Sequence, residues 1–298
     1  MNAIEIRNLT KNFGQKQALA GLNMTVPMGA IYGFIGENGS GKSTTEKLIC
    51  GLLVPSGGEI KLFGRDYKDP DVRAKIGVLI EAPGCFPNYS VWNNMMLQAA
   101  NLGIENAEEE VRKVLKVVRM EGSASNKFKN CSLGMKQRIG IAFALLGNPA
   151  LLVLDEPING LDADGMRIMR EVLIDITKNY NCTVVISSHI LGELEKIATH
   201  YGIVRGGKMI AEMTAEELNT NCRTFVALKA NDLAAAQETL TRKYARVTLE
   251  NEYIRVYDDV KAEEVAAYLY RSGIVVTEIT TDKINLEEYY TDLMREGR

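Results

Sequence analysis

"AIYGFIGENGSGKST", residues 30 to 44, joins a nearly all-apolar run to a glycine-rich loop and then to a lysine that opens a helix. The apolar run reads as a buried strand. The loop, from Gly36 to Thr44, satisfies GxxxxGK[ST] in the context that the mechanism requires, after a strand and before a helix. Glycines let the backbone wrap closely, so that successive N–H groups point at phosphate oxygens, and the helix N-terminus adds a favourable partial charge. Gly36, Asn38, Gly39, Ser40, Gly41, Lys42, Ser43 and Thr44 are the candidate phosphate-binding residues. Lys42 would reach the β and γ phosphates, and Ser43 would hold Mg²⁺. A flexible glycine loop can match so short a pattern by chance, so a second element must support it.

That element is "LLVLDEP", residues 151 to 157, a buried strand with two carboxylates at its carboxyl end, where open α/β sheets bind ligands. Asp155 would hold Mg²⁺ through water, and Glu156 is placed to orient or deprotonate an attacking water. Alone, Asp-Glu-Pro is a strand end with a turn; with the phosphate loop it becomes a catalytic edge. His189 follows the apolar run "TVVISS". It is either a satisfied polar residue or a group that holds the γ-phosphate and water in line. His200, the other histidine, gets only the structural reading. A third strand, "IGVLIEAPG" from 76 to 84, ends in the single carboxylate of Glu81, which either caps the turn at Pro83 and Gly84 or faces a ligand.

At 298 residues the chain fits one large domain and a small one. Lys and Arg total 35 against 38 Asp and Glu, a net charge of -3, so there is no overall basic footprint and nucleic acid is not an expected partner. Five scattered cysteines, Cys50, Cys85, Cys131, Cys182 and Cys222, never form a CxxC pair, which suggests neither a disulfide framework nor a zinc site and suits a reducing cytosol. No apolar run approaches a membrane span, and the N-terminus lacks the apolar core of a signal peptide. Any work at a membrane would need another chain to supply the membrane part.

Strands are expected at "AIEIRNL", "ALAGLNMTV", "GEIKLF" and "IGVLI". The stretch from about 90 to 148 turns helical: Ser90 can cap one helix, Val111, Val114, Leu115 and Val118 mark a face of the next, and a third starts after Ser132. From 150, strand "LLVLD", helix "GMRIMREVLIDITKNY", strand "TVVISS", helix "ILGELEKIATH" and a Gly206-Gly207 hairpin follow. Buried strands alternating with helices argue for an α/β fold on a parallel sheet. Beyond about Asn221 the order up to the last helix reads βαββαβ, a small ferredoxin-like or split α/β unit. The expected domains are 1–220 and 221–298.

With "CSLGMKQR", residues 131 to 138, between the phosphate loop and "LLVLDEP", the chain resembles an ATP-binding cassette (ABC) ATPase over roughly residues 3 to 220. The octapeptide is similar to the family's LSGGQ signature; Cys131, Leu133 and Met135 depart from it, while Ser132 and Gly134 remain to offer a hydroxyl and free N–H groups to an anion. The resemblance implies a P-loop cassette with a mainly parallel sheet, an antiparallel β subdomain and a helical subdomain at about 90–148, followed by a small C-terminal α+β domain. It implies ATP and Mg²⁺ as cofactors. It also implies a homodimer, or a pair with a similar ATPase, in which Ser132 and Gly134 of one copy contact the γ-phosphate held by the other. "NGLD", 159 to 162, is similar to the D-loop. Phe13 matches the adenine-stacking aromatic, with core packing as the alternative. Glu81 falls where the family's Q-loop carries glutamine, near both the Mg²⁺ region and the transmembrane partner, so Glu81 is expected to touch metal and to couple.

Glutamate at 81, "SLGMKQR" and the tail "LEEYYTDL" are together similar to the bacitracin-export and lantibiotic-immunity branch of bacterial ABC transporters. The expectation is an ATP-hydrolysing subunit, peripheral on the cytoplasmic face of the cell membrane, that drives export of an antimicrobial peptide through integral membrane subunits on separate chains. A soluble ABC ATPase acting on DNA or ribosomes is the alternative. Against it stand the negative charge, the lack of a long coiled coil between 44 and 132, and the single cassette. A P-loop small-molecule kinase would not need "CSLGMKQR".

Overall fold

The computed structural model describes residues 1–221, 224–250, 252–258, 260–283 and 285–296, so Cys222 lies outside the described residues. Contacts divide the chain into two compact units, Met1–Ala215 and Glu216–Arg298. The first unit opens on an antiparallel pair, β1 (Asn2–Phe13) and β2 (Lys16–Pro27), with Ile4 opposite Val26 and Ile6 opposite Met24. Leu22, Met24 and Val26 are buried while Asn23 and Thr25 are exposed, the period-two alternation of a sheet with one packed face. β3 (Ile31–Ile35) leads through the phosphate loop into α1 (Lys42–Ile49). β4 (Gly57–Leu62) and β5 (Arg65–Asp66) then complete the first sheet in the order β2-β1-β4-β5.

A short α2 (Pro70–Arg73), capped by Asp69, precedes β6 (Ile76–Leu79). The helical part follows as α3 (Val91–Asn101), α4 (Ala107–Val117) and α5 (Leu133–Leu145). Ser90 Oγ caps α3 by accepting the Asn93 N–H at 3.0 Å. Val111, Val114 and Leu115 of α4, with Val118 just beyond it, are buried on one stripe, each contributing roughly 1.5–3 kcal/mol relative to exposure. α5 packs closely on β6: a Cβ on Gly77 would lie 2.0 Å from the Ala144 carbonyl oxygen, so only glycine permits that approach.

β7 (Leu151–Asp155), α6 (Ala163–Tyr180), β8 (Thr183–Ser188), α7 (Leu191–Leu194), β9 (His200–Arg205) and β10 (Lys208–Thr214) complete the unit, and α8 (Ala215–Asn221) leaves it. The second sheet runs β10-β9-β3-β8-β7-β6, parallel throughout except for β10 against β9. β3 and β8 are buried at every position, as expected of parallel strands covered on both faces. One hydrophobic cluster joins both sheets to α1. The helix expected over 190–200 stops at Leu194. Thr199 donates its N–H to the Ile31 carbonyl at 2.8 Å, and that bond draws the chain into β9.

In the second unit, β11 (Thr224–Ala230), α9 (Leu233–Thr241), β12 (Val247–Glu250), β13 (Tyr253–Val256), α10 (Ala262–Arg271) and β14 (Val276–Lys283) follow in β-α-β-β-α-β order, and α11 (Leu286–Glu296) ends it. The sheet is antiparallel in the order β12-β13-β11-β14. Its core sets Val226, Leu228, Ile254 and Val256 against Ala236, Leu240, Val265 and Leu269 of α9 and α10.

Candidate functional site

The parallel register carries the ends of β3, β7 and β8 to the carboxyl edge of one sheet, so the phosphate loop, Asp155 with Glu156, and His189 all leave it side by side. This edge is where ligands of open α/β sheets bind. Gly36 begins the loop against Val204, whose carbonyl oxygen a Cβ at 36 would approach to 2.5 Å. Glu37, Asn38 and Gly39 form the exposed tip, while Ser40, Gly41 and Lys42 are buried. The Lys42 ammonium donates to the carbonyls of Gly36 at 2.6 Å and Glu37 at 3.2 Å, which fixes the cation inside the loop. Ser43 is exposed at the first turn of α1, Thr44 is half-buried, and Thr45 Oγ1 donates to the Gly41 carbonyl at 2.9 Å. Ser40 Oγ is buried with no hydrogen-bond partner among the described residues.

At the end of β7, Ser187 Oγ donates to Asp155 Oδ1 at 2.7 Å and accepts the Glu156 N–H at 3.1 Å. Glu156 Oε2 lies 2.7 Å from His189 Nδ1, so His189 meets the carboxylate expected to handle water. Ser188 Oγ accepts the Ile190 N–H at 3.0 Å and shapes the turn that presents His189. His200 belongs to β9 and bonds Thr199 Oγ1.

Two residues near this edge were not singled out by sequence: Ser187 and Glu46. Glu46, one helical turn after Lys42, is fully buried, with its carboxyl interacting with Asp155 and Ser187. Burial first, then the charge of Asp155, hold its carboxyl well above the usual carboxylate range. The signal that could have found it is a lone acid on the apolar stripe of "TTEKLI".

Glu81 does not join the cluster. It has a left-handed backbone, φ 68°, its side chain is 74% exposed, and it pairs with Lys47 of α1 at 2.9 Å. Phe13 is 47% exposed, with Lys11 Nζ 4.9 Å from its ring centre, so its ring is not a core element. Ser132 caps α5 by accepting the Met135 N–H at 3.3 Å, which leaves its O–H free to donate elsewhere. Beside it, a Cβ at Gly134 would meet only Leu161 at 3.5 Å, within the segment that follows Asn159 and Gly160.

The donors here are hydroxyl and carboxylate oxygens, which suit a hard cation such as Mg²⁺. Among the described residues no group of three or more His, Cys, Asp or Glu could hold a metal. A site of this kind completes its coordination with substrate phosphates and water. Elsewhere, burial pushes the thiols of Cys50, Cys85 and Cys182 up to about 12. They and Cys131 are free thiols.

The family model described as ABC transporter matches residues 19–159. A bacitracin transport ATP-binding protein of Enterococcus faecalis is 36% identical over 299 residues, covering 99% of this chain and 97% of that protein. A lantibiotic transport ATP-binding protein of Streptococcus pyogenes is 41% identical over 209 residues, covering 70% of this chain and 90% of that protein. Among solved structures, cbiO1 from Clostridium perfringens, part of the ABC transporter complex cbiONQ, aligns with a TM-score of 0.68 at 25% identity, covering 81% of this chain and 96% of that one.

Proposed function

The chain belongs to the ABC transporter family, and from that membership we propose that it powers export of an antimicrobial peptide or similar amphiphile through membrane subunits on separate chains. It is an ATP-binding subunit that hydrolyses ATP. The observation that carries the export reading is the reach of the likeness: the match to the bacitracin transport relative covers 99% of this chain and so includes the second unit. A soluble ATPase acting on DNA or ribosomes is not favoured, and the net charge of -3 gives such a role no footprint. None of the described helices is long and apolar enough to cross a membrane. Passage is therefore assigned to the partner chains, with this subunit on their cytoplasmic face.

In this reading the loop amides and Lys42 take up the β and γ phosphates, with Phe13 stacked on adenine. Ser43 and Asp155 would hold Mg²⁺, which would offset phosphate charge. Glu156 orients the attacking water or accepts its proton, and His189 fixes the direction of that carboxylate through their 2.7 Å contact. Ser132 and Gly134 of a second copy contact the γ-phosphate, so two copies enclose two ATP.

Coupling falls to the loop after β6. Ala82, Pro83 and Gly84 line a groove of about 500 Å³ with Leu52, Leu102 and Phe143, between β6 and the helical part. A membrane-subunit segment seated there would touch the residues next to Glu81. An exposed ion pair such as Glu81–Lys47 is worth little, so it would not prevent Glu81 from turning toward a bound metal. Glu81→Gln is expected to keep substantial ATPase activity, because an amide oxygen can approach the metal as a carboxylate does. Glu81→Ala is expected to lose export more than hydrolysis. ATPase rate and peptide resistance, read together in cells carrying the membrane subunits, check this; unchanged values for Glu81→Ala would leave Glu81 a turn residue. The export reading itself is tested by purifying the tagged chain from native membranes. An integral membrane protein in stoichiometric amount supports it, and recovery with ribosomes or DNA alone overturns it.

A further inference from the structure

We propose that Ser187 is a positioning residue for hydrolysis, a single hydroxyl that aims both carboxylates at the end of β7; this rests on the ATPase reading above. Ser187 stands opposite Asp155 in the parallel register, so the two side chains lie on the same face of the sheet. On that face the preceding residues are Val185 and Val153, which belong to the cluster that contains Leu48 and Ile49 of α1. The pattern calls for an apolar side chain at 187. The chain instead places a fully buried hydroxyl there. A buried hydroxyl is unfavourable unless hydrogen-bonded, and Ser187 is bonded on both sides, donating to Asp155 Oδ1 at 2.7 Å and accepting the Glu156 N–H at 3.1 Å.

The second bond bears on catalysis because Glu156 has φ 49°, in the left-handed region that non-glycine residues seldom occupy. Such a conformation persists where the surroundings over-determine it. Here one residue supplies two acceptors for the same N–H: Ser187 Oγ, and the Ser187 carbonyl at 3.2 Å. With the backbone turned this way, the Glu156 carboxylate meets His189 Nδ1. Ser187 therefore fixes which Asp155 oxygen remains for a metal and the direction in which Glu156 presents its carboxylate. Without the hydroxyl, Asp155 can rotate and Glu156 keeps only one of its two acceptors.

The test compares Ser187→Ala, Ser187→Cys and Ser187→Thr with the native chain. Partners that orient metal ligands typically change affinity or activity by roughly ten- to a hundredfold when removed. For Ser187→Ala the expected result is a fall of about that size in kcat and a higher Mg²⁺ concentration for half-maximal rate. ATP binding in EDTA and the melting temperature should stay near native. Mn²⁺ binding in the presence of a non-hydrolysed ATP analogue, read by electron paramagnetic resonance, should weaken in parallel. Ser187→Cys, close in volume but a weak donor, should resemble Ser187→Ala, and Ser187→Thr should recover kcat and Mn²⁺ affinity. Native kcat and Mn²⁺ affinity in Ser187→Ala or Ser187→Cys would overturn the inference. So would equal loss in Ser187→Ala and Ser187→Thr accompanied by equal loss of melting temperature and of metal-free ATP binding, because packing alone would then explain the effect. Failure of the native chain to hydrolyse ATP would instead overturn the reading on which the inference rests.

Discussion

Glu156→Gln binds ATP as the native chain does and hydrolyses it on the order of a hundredfold or more slowly, the usual cost of removing a positioned base. The substitution is a clean one. An amide oxygen can still accept from His189 Nδ1, where Glu156 Oε2 lies at 2.7 Å, and the backbone N–H that Ser187 holds is untouched. What changes is the capacity to accept a proton from water. Single-turnover phosphate release, with nucleotide binding measured in parallel, checks the prediction. Native hydrolysis in Glu156→Gln would remove Glu156 from the role of base.

Lys42→Ala weakens ATP binding roughly tenfold to a hundredfold, because a hydrogen bond to a charged group typically contributes about 1.5–3 kcal/mol. The ammonium is already held over the loop by the carbonyls of Gly36 and Glu37, so it meets a phosphate without having to be ordered first. The variant also leaves the buried Gly36 carbonyl without that donor, so melting temperature should be followed beside affinity. Calorimetric titration with ATP distinguishes the outcomes. Unchanged affinity in a folded variant would mean that the cation does not face the phosphates.

The parallel α/β core was legible in the sequence because "IYGFI", "LLVL" and "VVI" are short apolar runs free of charge, as strands covered on both faces are. The phosphate loop was legible for a local reason as well: its glycines, lysine and serine are all required within nine consecutive positions. Contacts between strands are another matter. That His189 meets Glu156 and that Ser187 meets Asp155 follows from the strand order β3-β8-β7, which no local spacing encodes. Glu46 escaped notice because one acid in an amphipathic helix normally faces water, and only the packing of α1 under β7 buries it. The pairing of Glu81 with Lys47 is likewise a product of folding, since 34 residues separate them. The helix expected over 190–200 was too long because its apolar spacing continues through Ile197 and Ala198, which are buried beside the sheet without being helical.

Two copies of the chain are proposed to close on ATP, with the phosphate loop of one facing Ser132 and Gly134 of the other. The most direct measurement is light scattering of Glu156→Gln at saturating Mg²⁺ and nucleotide, since slow hydrolysis lets the closed state accumulate. A doubled mass with ATP that returns to the single-chain mass with ADP is the predicted result. A single-chain mass with ATP, in a variant shown to bind it, would rule out the closed dimer.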